Sequence, residues 1–209
     1  MQEVERYSKF AIFQHWWIVA CSLLLGITGL FLFLSWVSPG AWWGVSRVAH
    51  RVAAVGFDAI PVLYMVMRPK ATLEWIKEAF TWGGDDIGWL KAAPTYYFGG
   101  DEGAMPPQDR SNTGQKLWMV VVIFCGISFV ISGAIMWFAP GGNLGWAVLW
   151  HDIAFIVGAA MLLVHVMLPA FHPRFAGSLR SMVTGKVTVE YARSHHQKWY
   201  ERIAGASRA

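Results

Sequence analysis

Four long stretches of the chain run almost without charge, and one shorter stretch alternates apolar and polar residues at helical spacing. Residues 16–37 and 117–139 contain no Asp, Glu, Lys or Arg. Residues 144–171 contain only Asp152, and residues 44–67 carry Arg47, Arg51 and Asp58 in an otherwise apolar run. Each is long enough to cross a hydrocarbon layer, which takes roughly 20 residues. The pattern predicts membrane helices at about 15–37, 44–67, 115–139 and 146–171. The first run is too long for a signal-peptide core and no small-residue cleavage pattern follows it, so it is expected to stay as a permanent helix.

Between the second and third helices lies a segment at 68–114. Within it, residues 71–82 place Leu73, Trp75, Ile76, Ala79 and Phe80 on one helical face and Glu74, Lys77 and Glu78 on the other. This is the signature of an amphipathic helix lying on a membrane surface. Gly83-Gly84-Asp85-Asp86 is expected to end it, and "FGGDEGAMPPQDRSN" reads as loop. The segment 172–209 is polar, basic and aromatic, suited to a membrane surface or a partner. No internal repeat stands out. The expected architecture is an all-α integral membrane protein, a four-transmembrane-helix bundle forming a single domain over 1–209, with an amphipathic loop helix and a C-terminal tail.

Composition and charge orient this picture. Only 14% of the residues are charged and 56% are hydrophobic, against about 25% charged in a soluble domain. Of the 17 Lys and Arg, all but Arg47 and Arg51 fall in the first 15 residues, in 68–116 or after residue 171. The opposite turns, 38–43 and 140–143, contain none. The positive-inside rule therefore places both termini in the cytoplasm. The net charge of +4 reflects this membrane-facing bias, and no nucleic-acid partner is implied. Tryptophans mark both boundaries: Trp16, Trp17 and Trp118 on the inner side, and Trp36, Trp42, Trp43, Trp137, Trp146 and Trp150 on the outer. Cys21 and Cys125 lie within spans, and the absence of C-x-x-C-H excludes covalent c-type haem.

Histidines carry the candidate chemistry. His151 and His165 stand fourteen residues apart on the fourth helix, a rise of ~21 Å and within ~40° of four whole turns. They share one face, one in each leaflet. His50, about two turns into the second helix, matches the level of His151, and His15, at the cytoplasmic edge of the first helix, approximately matches that of His165. Ionisable groups inside spans are rare and usually functional. Two imidazole pairs at two depths suit two bis-histidine haem b groups in an apolar cleft between helices. Zinc fits less well, because its usual four ligands must converge on one point. His172, His195 and His196 lie at the boundary or beyond it and are not assigned to haem.

Four polar features leave alternatives open. Arg47 shares a helical face with His50 and could pair with haem propionates, or it could snorkel or contact a partner. Asp58 could relay protons or pair with a neighbour, and Asp152 could meet water or a partner. Asn112 and Gln115, in "RSNTGQKLW", have the spacing of a capping box. The same helix N-terminus also offers N–H groups and positive potential to a quinone carbonyl.

With these residues in place, the chain resembles the gamma subunit of membrane-bound formate dehydrogenase, a di-haem cytochrome b, over nearly its whole length. The resemblance is carried by the histidine positions, by "NTGQK" and by "GSLRSMVTGKVTVEYARSHHQKWY". It implies an inner haem held by His15 and His165, an outer haem held by His50 and His151, and a quinone pocket at Asn112, Gly114 and Gln115. It also implies an extracytoplasmic iron–sulfur beta subunit, a molybdenum or tungsten alpha subunit, menaquinone or ubiquinone as electron acceptor, and the bacterial inner membrane. The chain would have no formate-oxidising centre of its own. The cytochrome of a hydrogenase or another molybdenum enzyme, and a non-redox membrane anchor, are the alternatives. The middle loop, Asp58 and Asp152 match no pattern of that family.

Overall fold

The computed structural model describes residues 2–34, 42–139 and 144–206. In chain order the elements are β1 (Glu3–Glu5), α1 (Lys9–Leu34), α2 (Trp42–Met67), α3 (Pro69–Phe80), α4 (Gly84–Tyr97), α5 (Thr113–Phe138), α6 (Gly145–Phe171), α7 (Ala176–Thr184), β2 (Lys186–Thr188), α8 (Val189–His195) and α9 (Gln197–Ala206). Short 3-10 turns occupy Glu102–Ala104 and Pro173–Phe175. Among the described residues, α1, α2, α5 and α6 are long and apolar enough to cross a membrane. Leu23, Val52, Val66 and Leu163 on these helices are exposed, which carries no penalty in hydrocarbon. Most of the outer turns, and Trp36, lie outside the described residues, as do the side chains of Trp42 and Trp43.

The chain divides into two units. The first, Glu5–Glu74 with Ser181–Lys186, is built on α1 and α2. These two helices run antiparallel. Phe10, at the start of α1, stacks on Tyr64, near the end of α2, at 5.7 Å, and the Trp17 indole N–H donates to the Gly56 carbonyl at 2.8 Å. The α1 helix begins earlier than its uncharged run. Ser8 caps it, its Oγ accepting from the Ala11 N–H, and the apolar residues Phe10 to Phe13 extend the helix toward the terminus. His15 therefore lies in the second turn, ~9 Å inside the helix start, rather than at its beginning.

The second unit comprises Met1–Val4, Trp75–Arg180 and Val187–Ala209. Its α5 and α6 pair in the same antiparallel way, and α4 is an element that the expected loop did not include. Gly83-Gly84-Asp85-Asp86 starts this helix as well as ending α3: the Gly83 N–H donates to Asp86 Oδ2 at 2.9 Å. Trp89, Ala93 and Tyr96 then form the buried face of α4, a stripe at helical spacing that Gly88 and Pro94 interrupt. Along α3 the expected surface helix is present, with Leu73 and Phe80 exposed and Ala79 buried.

The C-terminal segment is folded rather than a plain tail. Val187, Ala192 and Trp199 are buried together, with Val4, Tyr191, Tyr200 and Ile203 packed against them. Pairing of β1 with β2 brings the first residues of the chain to residues 186–188.

Candidate functional site

Each helix pair carries two of the four candidate histidines, and in each pair one imidazole is fixed by a hydroxyl on the preceding helix. On α2, His50 Nδ1 lies 3.0 Å from Thr28 Oγ1 of α1. Thr28 is itself buried, and its hydroxyl donates to the Leu24 carbonyl at 2.6 Å. On α6, His151 Nδ1 lies 2.8 Å from Ser132 Oγ of α5, and the buried Ser132 donates to the Ser128 carbonyl at 2.6 Å. A glycine follows each hydroxyl. A Cβ on Gly29 would stand 3.3 Å from His50 Cε1, and one on Gly133 would stand 4.0 Å from His151 Cε1. Both rings therefore lie against helix backbone that bears no side chain.

The level of His50 can now be measured on α1. Thr28 is thirteen residues beyond His15, a rise of ~20 Å, and His50 stands at the level of Thr28. His151 and His165 are separated by fourteen residues on α6, or ~21 Å. Each unit thus presents two imidazoles at nearly the same separation along its helices. The other two histidines are held by aromatic rings. His165 stacks on Trp118 of α5 at 4.6 Å, the rings 13° from parallel. His15 meets the edge of Trp16 at 5.3 Å, whose indole N–H donates to the Met182 carbonyl at 2.8 Å.

The remaining predicted positions divide. Arg47 is exposed, on the His50 face of α2 and one turn nearer its start. Asp58 and Asp152 are half-buried within their spans. Asn112 and Gln115 form a full capping box at the start of α5: Asn112 Oδ1 accepts from the Gln115 N–H at 2.9 Å, and Gln115 Oε1 accepts from the Asn112 N–H at 3.0 Å. Gly114 lies under the Trp89 indole, where a Cβ would approach Cη2 to 3.0 Å. Asn112 also lines a small cleft with Trp89, Tyr96, Phe175 and His195. His195 stacks on Tyr191 at 4.1 Å and lies 3.1 Å from the Tyr96 hydroxyl. His196 is fully buried with Nδ1 2.9 Å from the Asp109 carbonyl, and His172 Nε2 is 3.2 Å from the Tyr97 carbonyl. Burial pushes the Tyr97 hydroxyl up to about 12.

Two features escaped the sequence reading. The hydroxyl–glycine pairs recur as Ile27-Thr28-Gly29 and Ile131-Ser132-Gly133, a local echo between the first and third spans. Around the capping box, Thr113 and Lys116 of the same motif are buried in a polar knot. Lys116 Nζ lies 2.9 and 3.1 Å from the two Asp86 carboxylate oxygens and donates to the Thr81 carbonyl at 3.0 Å. The Thr113 hydroxyl is shared between Asp86 Oδ1 and Gln108 Oε1, at 2.8 and 2.9 Å. A lysine in the first turn of a helix opposes the helix dipole, and that was the available signal that Lys116 needs an anionic partner.

Similar proteins cover most of the chain. The cytochrome b556 subunit of a formate dehydrogenase from Haemophilus influenzae is 27% identical over 207 residues, 93% of this chain and 81% of the relative. The nitrate-inducible formate dehydrogenase cytochrome b556 subunit of Escherichia coli K12 is 26% identical, covering 92% of this chain and 88% of its own length. A second Escherichia coli K12 formate dehydrogenase cytochrome b556 subunit is also 26% identical, over 96% and 93%. The model of the prokaryotic cytochrome b561 family matches residues 6–185. A chain matched over that length, with four apolar helices long enough to span, belongs to the prokaryotic cytochrome b561 family of integral membrane haem b proteins.

Proposed function

We propose that this chain is the di-haem cytochrome b subunit of a formate dehydrogenase complex, anchored in the bacterial inner membrane as a single functional domain over residues 1–209. The observation that carries this reading is the equal ~20 Å separation of two imidazoles along each helix pair. His50 and His151 form the outer ligand pair, and His15 and His165 the inner pair. Bound haem b supplies a one-electron Fe(III)/Fe(II) couple at each level. The donor set fits the group: imidazole nitrogen would ligate a b-type haem, and Gly29 and Gly133 put no Cβ against the His50 and His151 rings. Arg47 offers a guanidinium to a propionate near the outer pair. The partners are an extracytoplasmic iron–sulfur subunit and a molybdenum or tungsten catalytic subunit, as the resemblance implies; the named relatives are themselves subunits of formate dehydrogenases. The chain contributes quinone reduction rather than formate oxidation.

The test is spectroscopic and biochemical. Detergent-purified complex is expected to show a b-type reduced-minus-oxidised spectrum and to oxidise formate. Hydrogen oxidation by the copurified partner would assign the chain to a hydrogenase instead. Absence of any b-type signal would leave only the membrane-anchor reading.

Quinone reduction is placed at Asn112, Gly114 and Gln115, on the cytoplasmic side. The capping box uses one oxygen from each side chain, and the Asn112 amide N–H group is the donor assigned to a quinone carbonyl. Menaquinone and ubiquinone both carry that carbonyl. Asn112→Asp keeps the capping oxygen and removes the amide N–H. Quinone reduction by this variant is expected to fall about tenfold or more, the effect of one buried hydrogen bond, with haem content and melting temperature unchanged. Unchanged turnover with menaquinone and ubiquinone analogues would remove the pocket from this motif.

Crowding at the outer pair gives a second test. Gly29→Ala places a Cβ 3.3 Å from His50 Cε1, whereas Gly26→Ala meets nothing within 4 Å. The first substitution is expected to loosen the outer haem in a haem-retention assay on dilution in detergent, and the second to leave it in place.

A further inference from the structure

We infer that Thr28 and Ser132 are positioning residues that fix the tautomer and basicity of the two outer axial histidines, an assignment that rests on the haem reading above. The geometry decides the direction of each hydrogen bond. A hydroxyl has one proton, and a backbone carbonyl can only accept. With Thr28 Oγ1 2.6 Å from the Leu24 carbonyl and 3.3 Å from the Leu25 carbonyl, its proton is committed to the backbone. Toward His50 it can therefore only accept, so Nδ1 bears the hydrogen and the ring lone pair resides on Nε2. The same reasoning holds for Ser132, whose proton goes to the Ser128 carbonyl 2.6 Å away, and for His151 at 2.8 Å.

Each hydroxyl is buried and donates into the helix one turn back, which polarises it and makes its oxygen a better acceptor. A histidine ligand that donates its second N–H to an acceptor is held in one orientation and becomes more basic toward the metal. More basic ligands favour the ferric state. The adjoining glycines bring the ring close to the helix that supplies the hydroxyl. One device, built from hydroxyl, glycine and imidazole, is thus used once in each helix pair, and both copies serve the same proposed haem.

The test is a redox titration of the b-type bands in the purified complex, comparing Thr28→Val with Thr28→Ser and Ser132→Ala with Ser132→Thr. Val and Ala remove the acceptor at little cost in shape, and Ser and Thr retain it. The hydroxyl-free variants are expected to shift the ferric/ferrous ratio of one haem about three- to tenfold toward ferrous at fixed potential, a rise of up to ~59 mV for a one-electron couple. The other haem should not move, and the conservative variants should restore the original value. Outright loss of one haem in Thr28→Val, with retention in Thr28→Ser, would equally support the assignment. An unmoved potential in both hydroxyl-free variants would overturn it, as would equal loss or shift in the conservative ones. A wild-type complex without b-type absorbance would instead overturn the haem reading itself.

Discussion

Replacing His50 with leucine is expected to remove about half of the b-type absorbance, since a bis-histidine haem b is lost when one of its two axial nitrogens is removed. His151→Leu should cause the same loss, and combining the two should remove no more than either alone. His15→Leu and His165→Leu should each abolish the remaining half. The pattern follows from the proposed ligand pairs, in which one imidazole of each comes from α1–α2 and the other from α5–α6. Reduced-minus-oxidised spectra, scaled to protein, measure it directly. Loss of both haems from every single variant would argue against two independent pairs. Unchanged spectra would confine His50 and His151 to their hydrogen bonds with Thr28 and Ser132.

The largest stability effect is expected at Asp86. Its carboxylate and the Lys116 ammonium lie 2.9 Å apart, with side chains only 8% and 10% exposed. Removing one partner of a buried pair leaves the other charge uncompensated, typically a loss of 3–5 kcal/mol. Asp86→Asn should therefore lower the melting temperature strongly, because total stabilities are only about 5–15 kcal/mol. Asp86→Asn combined with Lys116→Met should recover much of the loss. If the double variant is no more stable than the single, the buried charge is not the cause.

The pH dependence has a definite sign. Burial disfavours the charged Asp86 carboxylate, but the Lys116 ammonium, the Thr113 hydroxyl and the Gly83 N–H outweigh it and hold the carboxyl below its ordinary value. Its contribution is complete above the unfolded value near ~4 and disappears as pH falls through the lowered folded value. Asp109, held below the usual carboxylate range by the Arg202 guanidinium, behaves in the same sense. Acid-induced melting of the wild type should thus steepen below about pH 4, and Asp86→Asn should flatten part of that slope.

The four spans were legible because a bilayer demands length and hydropathy, and little else in the chain meets both. The vertical order of His151 and His165 was legible for a related reason: one helix supplies its own ruler. Placing His50 required the register between α1 and α2, which the Thr28 hydrogen bond sets and which no count along one helix contains. The α4 helix was hidden by its own composition, since Gly84, Gly88 and Pro94 interrupt the pattern that Trp89, Ala93 and Tyr96 make. The folded C-terminal segment was hidden by distance. Its core includes Val4, and local periodicity cannot show a partner from the opposite end of the chain. Asn112 and Gln115 were legible as a capping box, while the burial of Thr113 and Lys116 beside them depends on α4.

The pairing of β1 with β2 also constrains the order in which the molecule can be completed. Residues 3–5 are synthesised before all four spans, yet the strand that pairs with them is synthesised only after all four. Closing so long a loop costs little extra free energy, because the penalty grows only with the logarithm of its length, but the contact must wait until residues 186–188 have been made. A chain truncated before residue 186 would leave its first strand without a partner and Val4 without Val187, Ala192 and Trp199. Fastening of residues 3–5 thus reports that synthesis has passed residue 188, and a protease that cleaves exposed strands would distinguish chains that reach this point from those that stop short of it.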